Sequence, residues 1–303
     1  MNDIAGDTCA VIVTYRPDAA ILRSSLQACR EQVGAVFVFD NASPAEAFEG
    51  LAGALDGVEL CRSERNIGLA AGFNRGIEFA RARGFRFVLL LDQDSVPAPG
   101  MVAALRDAID ALSSSSHRVG AAGAVAVDGR NGLPAPFVRI GFPFNRKLPA
   151  AADARVECDF LISSGSLIPV DVLDAVGGMD EGLFIDNVDL EWCFRARACG
   201  FVLVGVGAAR MRHSIGDALR PSRFQRGGAF VHQPLRLYYI MRNRVLLYRR
   251  QATPLAWIGQ DLLRLPMKFA ATLLFQRPRR RYLQRMLSGL RDGLRGRDGP
   301  APP

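Results

Sequence analysis

Four short apolar runs, each followed closely by Thr, Asp or Asn, constrain what this chain can fold into more than any other feature. They are Cys9-Ala-Val-Ile-Val-Thr-Tyr15, Ala35-Val-Phe-Val-Phe39, Val58-Glu-Leu-Cys61 and Phe87-Val-Leu-Leu-Leu91. Runs that are apolar without alternation read as strands covered on both faces, the usual state of a parallel sheet. Helical spacing separates them. Ala19 to Glu31 forms one such segment, and Leu69, Phe73, Ile77 and Ala80 mark another that stops at Gly84. The resulting β-α-β-β-α-β order predicts an α/β fold with a mainly parallel sheet, and 303 residues suffice to bury its core. Beyond it, helices are expected from Met101 to Leu112, from Pro169 to Gly177-Gly178, and from Asn187 to Cys199. The serines 113–116 read as a linker, and Gly129 to Pro149 reads as loop and edge structure.

Open sheets of this kind bind ligands beyond the carboxyl ends of their strands. Thr14-Tyr15, Asp40-Asn41, Asn66 and Asp92-Gln93-Asp94 all stand there, so four independent polar groups converge on one rim. Two carboxylates as close as Asp92 and Asp94 repel each other unless a cation intervenes. Mg²⁺ or Mn²⁺ bridging a diphosphate fits such a pair, because these ions take few protein ligands and several ligand oxygens. A short solvated acidic turn is the simpler explanation of Asp-x-Asp by itself. The buried strand in front of it favours the metal.

Charge is split along the chain. Residues 1–209 carry 18 Lys+Arg against 26 Asp+Glu, whereas residues 210–303 carry 20 against 4. From Leu235 onward Arg residues interleave with Leu246-Leu247, Trp257-Ile258, Leu262-Leu263, Phe269 and Leu273-Leu274-Phe275, the pattern of basic amphipathic helices that lie on anionic membranes. Helices packed on the acidic part with Arg in water would show the same pattern. Asp261, Arg264 and Lys268 interrupt the longest apolar stretch, so no membrane span is expected. The first seven residues lack a basic n-region and an apolar core, which favours a reducing cytoplasm over export. The six cysteines form no C-x-x-C pair and read as free thiols, mostly buried. A nicotinamide or flavin enzyme is disfavoured because no G-x-G-x-x-G follows the first strand. Nucleic acid is not expected as a partner, since the basic part has no zinc, helix-turn-helix or aromatic RNA-binding signature.

Taken in order, Val11-Ile-Val-Thr-Tyr15, Asp40-Asn41-Ala42-Ser43, Asn66-Ile-Gly68, Ala70-Ala-Gly-Phe-Asn-Arg-Gly76 and Leu89-Leu-Leu-Asp-Gln-Asp94 resemble the nucleotide-sugar half of family 2 glycosyltransferases. Phe160-Leu-Ile-Ser-Ser-Gly165, Gly178-Met-Asp-Glu-Gly-Leu-Phe-Ile-Asp186, Val188-Asp-Leu-Glu-Trp-Cys-Phe-Arg195 and His213-Ser-Ile-Gly216 resemble the acceptor half of the rhamnosyltransferase branch. The likeness covers roughly residues 9 to 250. It implies a GT-A catalytic domain over 1–234, with a nucleotide-sugar half to about 115 and an acceptor half from about 116, followed by a basic helical region over 235–303. The implied reaction is inverting transfer of L-rhamnose from dTDP-L-rhamnose to a lipid-linked or amphiphilic acceptor of O-antigen, other polysaccharide or rhamnolipid type. The enzyme would work at the inner face of the cell membrane.

The resemblance also implies roles. Asp40 would accept from the pyrimidine N3–H, although an Asx turn before Pro44 explains it equally well. Thr14 and Tyr15 would frame the base, and Asn66 and Gly68 would line the nucleoside pocket. Asp92 would meet the ribose and the metal, Asp94 and His213 the metal. Asp189 would be the catalytic base, with Asp186 as rival if the helix extends back to it. Ser163, Ser164, Gly165 and Trp192 would meet the acceptor. Tyr238-Tyr239 and Arg242-Asn243-Arg244 resemble an element near the diphosphate, where Arg242 would neutralise the leaving group or else belong to a basic helix surface.

Overall fold

The computed structural model of the chain describes residues 5–113, 117–149, 151–213, 218–220 and 229–302. The motif residues Ser214, Ile215 and Gly216, and serines 114–116 of the linker, lie outside them. The chain runs β1 (Ala5–Thr14), α1 (Ala19–Arg30), β2 (Val33–Asp40), α2 (Ala52–Leu55), β3 (Glu59–Arg62), α3 (Leu69–Ala82), β4 (Phe87–Asp92), β5 (Val96–Pro97) and α4 (Met101–Ser113). It continues with β6 (Val119–Asp128), β7 (Phe137–Arg139), β8 (Arg146–Leu148), β9 (Arg155–Cys158), β10 (Ser166–Pro169), α5 (Val170–Val176), α6 (Val188–Ala198) and β11 (Val202–His213). β12 (Ala218–Arg220), β13 (Ala229–Val231), α7 (Pro234–Tyr248), α8 (Leu255–Phe275) and α9 (Arg279–Leu294) complete it.

The main sheet has the order β3-β2-β1-β4-β10-β6-β11-β5, with β9 paired to β11. β3, β2, β1 and β4 are parallel. β10 enters antiparallel to both β4 and β6, and β11 runs parallel to β6. Along β1 and β2 alternate residues feed two cores: Val11, Val13, Phe37 and Phe39 on one face, Ala10, Ile12, Val36 and Val38 on the other. That two-sided burial is why these runs read as continuously apolar. Asp18 caps α1, its carboxylate accepting from the Ala20 and Ile21 amides at 2.9 and 3.0 Å. Gly76 lets α3 press against β1, since a Cβ there would stand 2.1 Å from Val11 Cγ1.

Two central strands carry no such signature. β6, Val-Gly-Ala-Ala-Gly-Ala-Val-Ala-Val-Asp, is built from small residues of low strand propensity, and β11 is broken by a register shift between Val206 and Arg210. The expected loop-and-edge region does contain a hairpin, β7 with β8. All six thiols are free; Cys9, Cys29, Cys158 and Cys193 are buried, and Cys61 and Cys199 are exposed.

The expected boundary at residue 234 falls on the first turn of α7, and α7 is no surface appendage: Leu237 to Leu247 is buried throughout. Arg242 and Asn243, on this helix, hold the segment that precedes α6. Arg242 is wholly buried and donates to the carbonyls of Gly182, Leu183 and Gly299 and to Asn243 Oδ1, while its guanidinium lies over the Tyr239 ring. Asn243 Nδ2 donates to the carbonyls of Leu183, Ile185 and Asp186 at 2.8–2.9 Å. The guanidinium is therefore consumed by backbone, which corrects the expectation that Arg242 faces a diphosphate. Arg242→Met is expected to cost about 3 kcal/mol or more of folding stability, because several buried carbonyls lose their donors at once. Urea denaturation of the two proteins checks it.

Candidate active site

The carboxyl ends of β1, β2 and β4, the loop before α3, the segment before α6 and the start of α7 enclose a cleft of about 660 Å³. That volume suits a ligand of nucleotide size. Thr14, Tyr15, Asn41, Asn66, Gly68, Asp92, Gln93 and Asp94 line it, together with Ser163, Asp186, Asp189, His213, Arg236 and Tyr239. The four strand-end groups picked out by their spacing thus meet around one space.

Backbone geometry sets the nucleotide side. Asn41 Oδ1 accepts from the Ile67 amide at 3.0 Å and its Nδ2 donates to the Gly68 carbonyl at 3.2 Å, so Asn41 shapes the turn that carries Asn66 and Gly68. Asn66 Oδ1 accepts from the Gly68 amide at 2.9 Å. Gly68 has φ +94°, and a Cβ there would stand 2.7 Å from Phe184, so only glycine lets the two loops meet. Gln93 Oε1 accepts from the Tyr15 amide at 2.7 Å. Asp40 is placed otherwise than expected. It has no exposed surface, and its carboxylate accepts from Thr14 Oγ1, from the Ser43 amide and hydroxyl, and from Arg62 Nε. It is the Asx-turn residue of the alternative reading, with its acceptor capacity used inside the protein.

Asp92, Asp94 and His213 offer one ligand atom each, all within 4.8 Å of one another. His213 Nδ1 stands 3.3 Å from Asp94 Oδ1, and Nε2 stands 4.0 Å from Asp92 Oδ2. Two carboxylates and one imidazole, partly buried and open to the cleft, are a donor set that fits Mg²⁺ or Mn²⁺, Mn²⁺ accepting the nitrogen more readily. Burial raises the pKa of Asp92, against the lowering charge of His213 and with the raising charge of Asp94. Burial alone would lower that of His213, but the hydrogen bond to Asp94 and the charges of Asp92 and Asp94 outweigh it and hold the imidazole above its ordinary value.

Behind this cluster lies a support that the sequence did not reveal. Ser95 Oγ is 2.8 Å from His213 Nδ1 and 2.5 Å from Ser164 Oγ, and Ser164 Oγ accepts from the Asp92 amide at 3.1 Å. Ser164 is buried and Gly165, at φ +79°, packs on Met211, so of the expected acceptor residues only Ser163 lines the cleft. Trp192 is buried too, its indole N–H donating to the Gly177 carbonyl at 3.0 Å. Ser164, Gly165 and Trp192 therefore support the site from below and do not face an acceptor.

Asp189 and Asp186 line the same cleft. α6 begins at Val188, so Asp186 is outside the helix, in a left-handed segment with Phe184, Asp186 and Asn187 at φ 65°, 65° and 62°. Asp186 pairs with Arg236 at 3.0 Å. Asp189, in the first turn, is raised to about 6 by burial and by the charges of Asp92 and Asp186, against the lowering amides of Leu190 and Ser163. Among the described residues, Arg236 is the guanidinium that lines the cleft. Its position in the opening turn of α7, beside Tyr238-Tyr239, could have marked it. Tyr239 also lines the cleft, its ring stacked on Phe184 at 5.0 Å.

Comparison with known proteins agrees with this geometry. Residues 9–136 match the glycosyl transferase family 2 profile. The chain is 29% identical over 292 residues to dTDP-rhamnosyl transferase RfbF of Shigella flexneri, covering 96% of each protein. It superposes on GalNAc-T7 crystallised with UDP, GalNAc and Mn²⁺ at a TM-score of 0.60 and 14% identity, over 95% of this chain and 56% of that one. Against S. aureus TarS residues 1–349 the TM-score is 0.52 at 16% identity, over 94% and 80%. Residues 9–136 thus carry a family 2 glycosyltransferase domain, and the chain has the GT-A fold of these solved structures.

Proposed function

We propose that this glycosyltransferase moves L-rhamnose from dTDP-L-rhamnose, with inversion, onto a hydroxyl of a lipid-linked or amphiphilic acceptor at the inner face of the cell membrane, in the making of O-antigen, another polysaccharide or rhamnolipid. The observation that carries the reading is the cleft itself, which sets the Asp92–Asp94–His213 cluster and Asp189 on its walls, within electrostatic reach of each other. The likeness to RfbF across nearly the whole chain supports the donor.

Thr14, Tyr15, Asn41, Asn66 and Gly68 receive the nucleoside. Asp92, Asp94 and His213 would hold Mg²⁺ or Mn²⁺, which supplies counter-charge to the diphosphate as it leaves. Arg236 adds a second cation at that end, by virtue of its place on the cleft wall. Asp189 takes the proton of the acceptor hydroxyl as its oxygen attacks the anomeric carbon, and a burial-raised pKa suits a general base working near neutrality. Asp186 serves less well as base because its carboxylate is already paired with Arg236. Attack opposite to the departing diphosphate inverts the anomeric centre without a covalent enzyme intermediate, so positioning and charge supply most of the rate.

The test is nucleotide release by the purified protein with dTDP-L-rhamnose and UDP-sugars side by side, with and without EDTA and with lipid acceptors present. Metal-dependent dTDP release that exceeds UDP release is expected. Preference for another donor would remove rhamnose and leave the transferase; no turnover of any donor would remove the mechanism.

A further inference from the structure

We propose that the outward face of α8, together with the Phe142–Phe144 loop, is a docking surface for an anionic lipid bilayer. It deepens the reading above by naming where an amphiphilic acceptor would arrive, and it rests on that reading only for the acceptor.

α8 is two-sided. Its inner side packs Leu265 and Phe269 on a cluster shared by α7 (Leu237, Ile240, Met241) and α9 (Tyr282, Met286), and Asp261 pairs with Arg244 at 3.4 Å. Its outer side leaves Leu262, Leu263, Met267, Leu274 and Phe275 between 51% and 66% exposed, with Pro266, Ala270 and Ala271 exposed among them. Near the start of the helix the Phe142 ring lies over Gly259, 3.2 Å from where a Cβ would stand. Phe142 and Phe144 are themselves 63% and 78% exposed, so the loop prolongs the apolar surface. A contiguous patch of this kind marks a contact with something apolar.

The charges around it select the partner. From Leu255 to Arg291 the one acidic residue is Asp261, which is buried, while Arg264, Arg277, Arg279, Arg280 and Arg281 are exposed. A second copy docked here would set arginine against arginine with no acid to answer it. Among the described residues no helix is long and apolar enough to cross a membrane. An apolar face bordered by arginines on a helix that cannot span is the form that lies in the interface, its side chains among the upper acyl carbons and its guanidinium groups at anionic headgroups. One residue of the helix feels charges of the active site. Lys268, toward its inner side, is within electrostatic reach of Asp186 and Arg236, both on the cleft wall. A bilayer under α8 therefore brings a lipid-anchored hydroxyl close to that end of the cleft.

The full chain is to be sedimented with phosphatidylcholine vesicles and with vesicles containing one third phosphatidylglycerol, at low and high salt. Binding to the anionic vesicles alone, weakened by salt, is expected. The double variant Leu263→Asp, Met267→Asp is expected to abolish it, and Arg279→Gln and Arg280→Gln to reduce it on the order of fivefold per charge removed. Circular dichroism and Mn²⁺ binding show that the variants are folded. Turnover of a water-soluble acceptor should survive in them, which separates loss of docking from failure of the transferase reading. No binding to anionic vesicles, undiminished binding of the double aspartate variant, or a stable dimer in solution that this variant dissociates would overturn the proposal, the last by assigning the face to a second copy.

Discussion

Asp189→Asn is expected to lower kcat by roughly 10²–10⁴-fold while leaving nucleotide affinity almost unchanged, the range that a positioned general base contributes. Steady-state kinetics beside dTDP titration separates the two quantities. The wild-type enzyme carries a related signature. The base must be ionised, so kcat/KM should rise with pH through about 6, well above the ordinary carboxylate at 3.8. The same shift has an opposite sign for folding. A carboxyl group whose folded pKa is raised contributes stability below its unfolded pKa and loses it as pH climbs through the folded value, here between about 4 and 6. Ionised Asp189 therefore costs up to roughly 3 kcal/mol above that window. Asp189→Asn should melt no lower than wild type at pH 8 despite its inactivity. A variant that lost activity and stability together would point to a structural role instead.

The second large effect is expected at Asp94. Asp94→Ala should weaken Mn²⁺ binding by more than about 100-fold, beyond what loss of an outer-shell partner costs, and reduce turnover in proportion. Calorimetric titration with Mn²⁺ measures the first without relying on activity. Ser95→Ala is the graded control: it keeps all three ligands and removes only the hydroxyl behind His213, so a loss of roughly 10–100-fold is expected. Equal Mn²⁺ affinity in wild type and Asp94→Ala would remove this cluster as the metal site.

What was legible in the sequence was whatever local chemistry could announce. β1, β2 and β4 declared themselves because both faces are buried, and their polar ends declared the rim. The Asp-x-Asp pair and Asp189 stood on motifs whose spacing survives in the fold. β6 was silent because glycine and alanine carry little strand signal, although it lies in the middle of the sheet. The misplaced site residues share one physical cause. Asp40, Ser164, Trp192 and Arg242 all sit in motifs and all point inward, where turns and carbonyls occupy them. A motif fixes the path of the backbone, and only the packed structure decides which of its side chains reach the ligand. Arg236 shows the converse, a lone residue outside any quoted motif that long-range packing brings to the cleft wall.

The groups around His213 also decide a proton's address. Asp94 Oδ1 stands 3.3 Å from His213 Nδ1, and because a carboxylate only accepts, their hydrogen bond favours the proton on that nitrogen. Ser95 Oγ, 2.8 Å from the same nitrogen, can accept there and turn its own hydrogen to Ser164. In the neutral imidazole the lone pair is then on Nε2, on the side of Asp92. One carboxylate of the cluster thus sets which histidine nitrogen is left to face a cation.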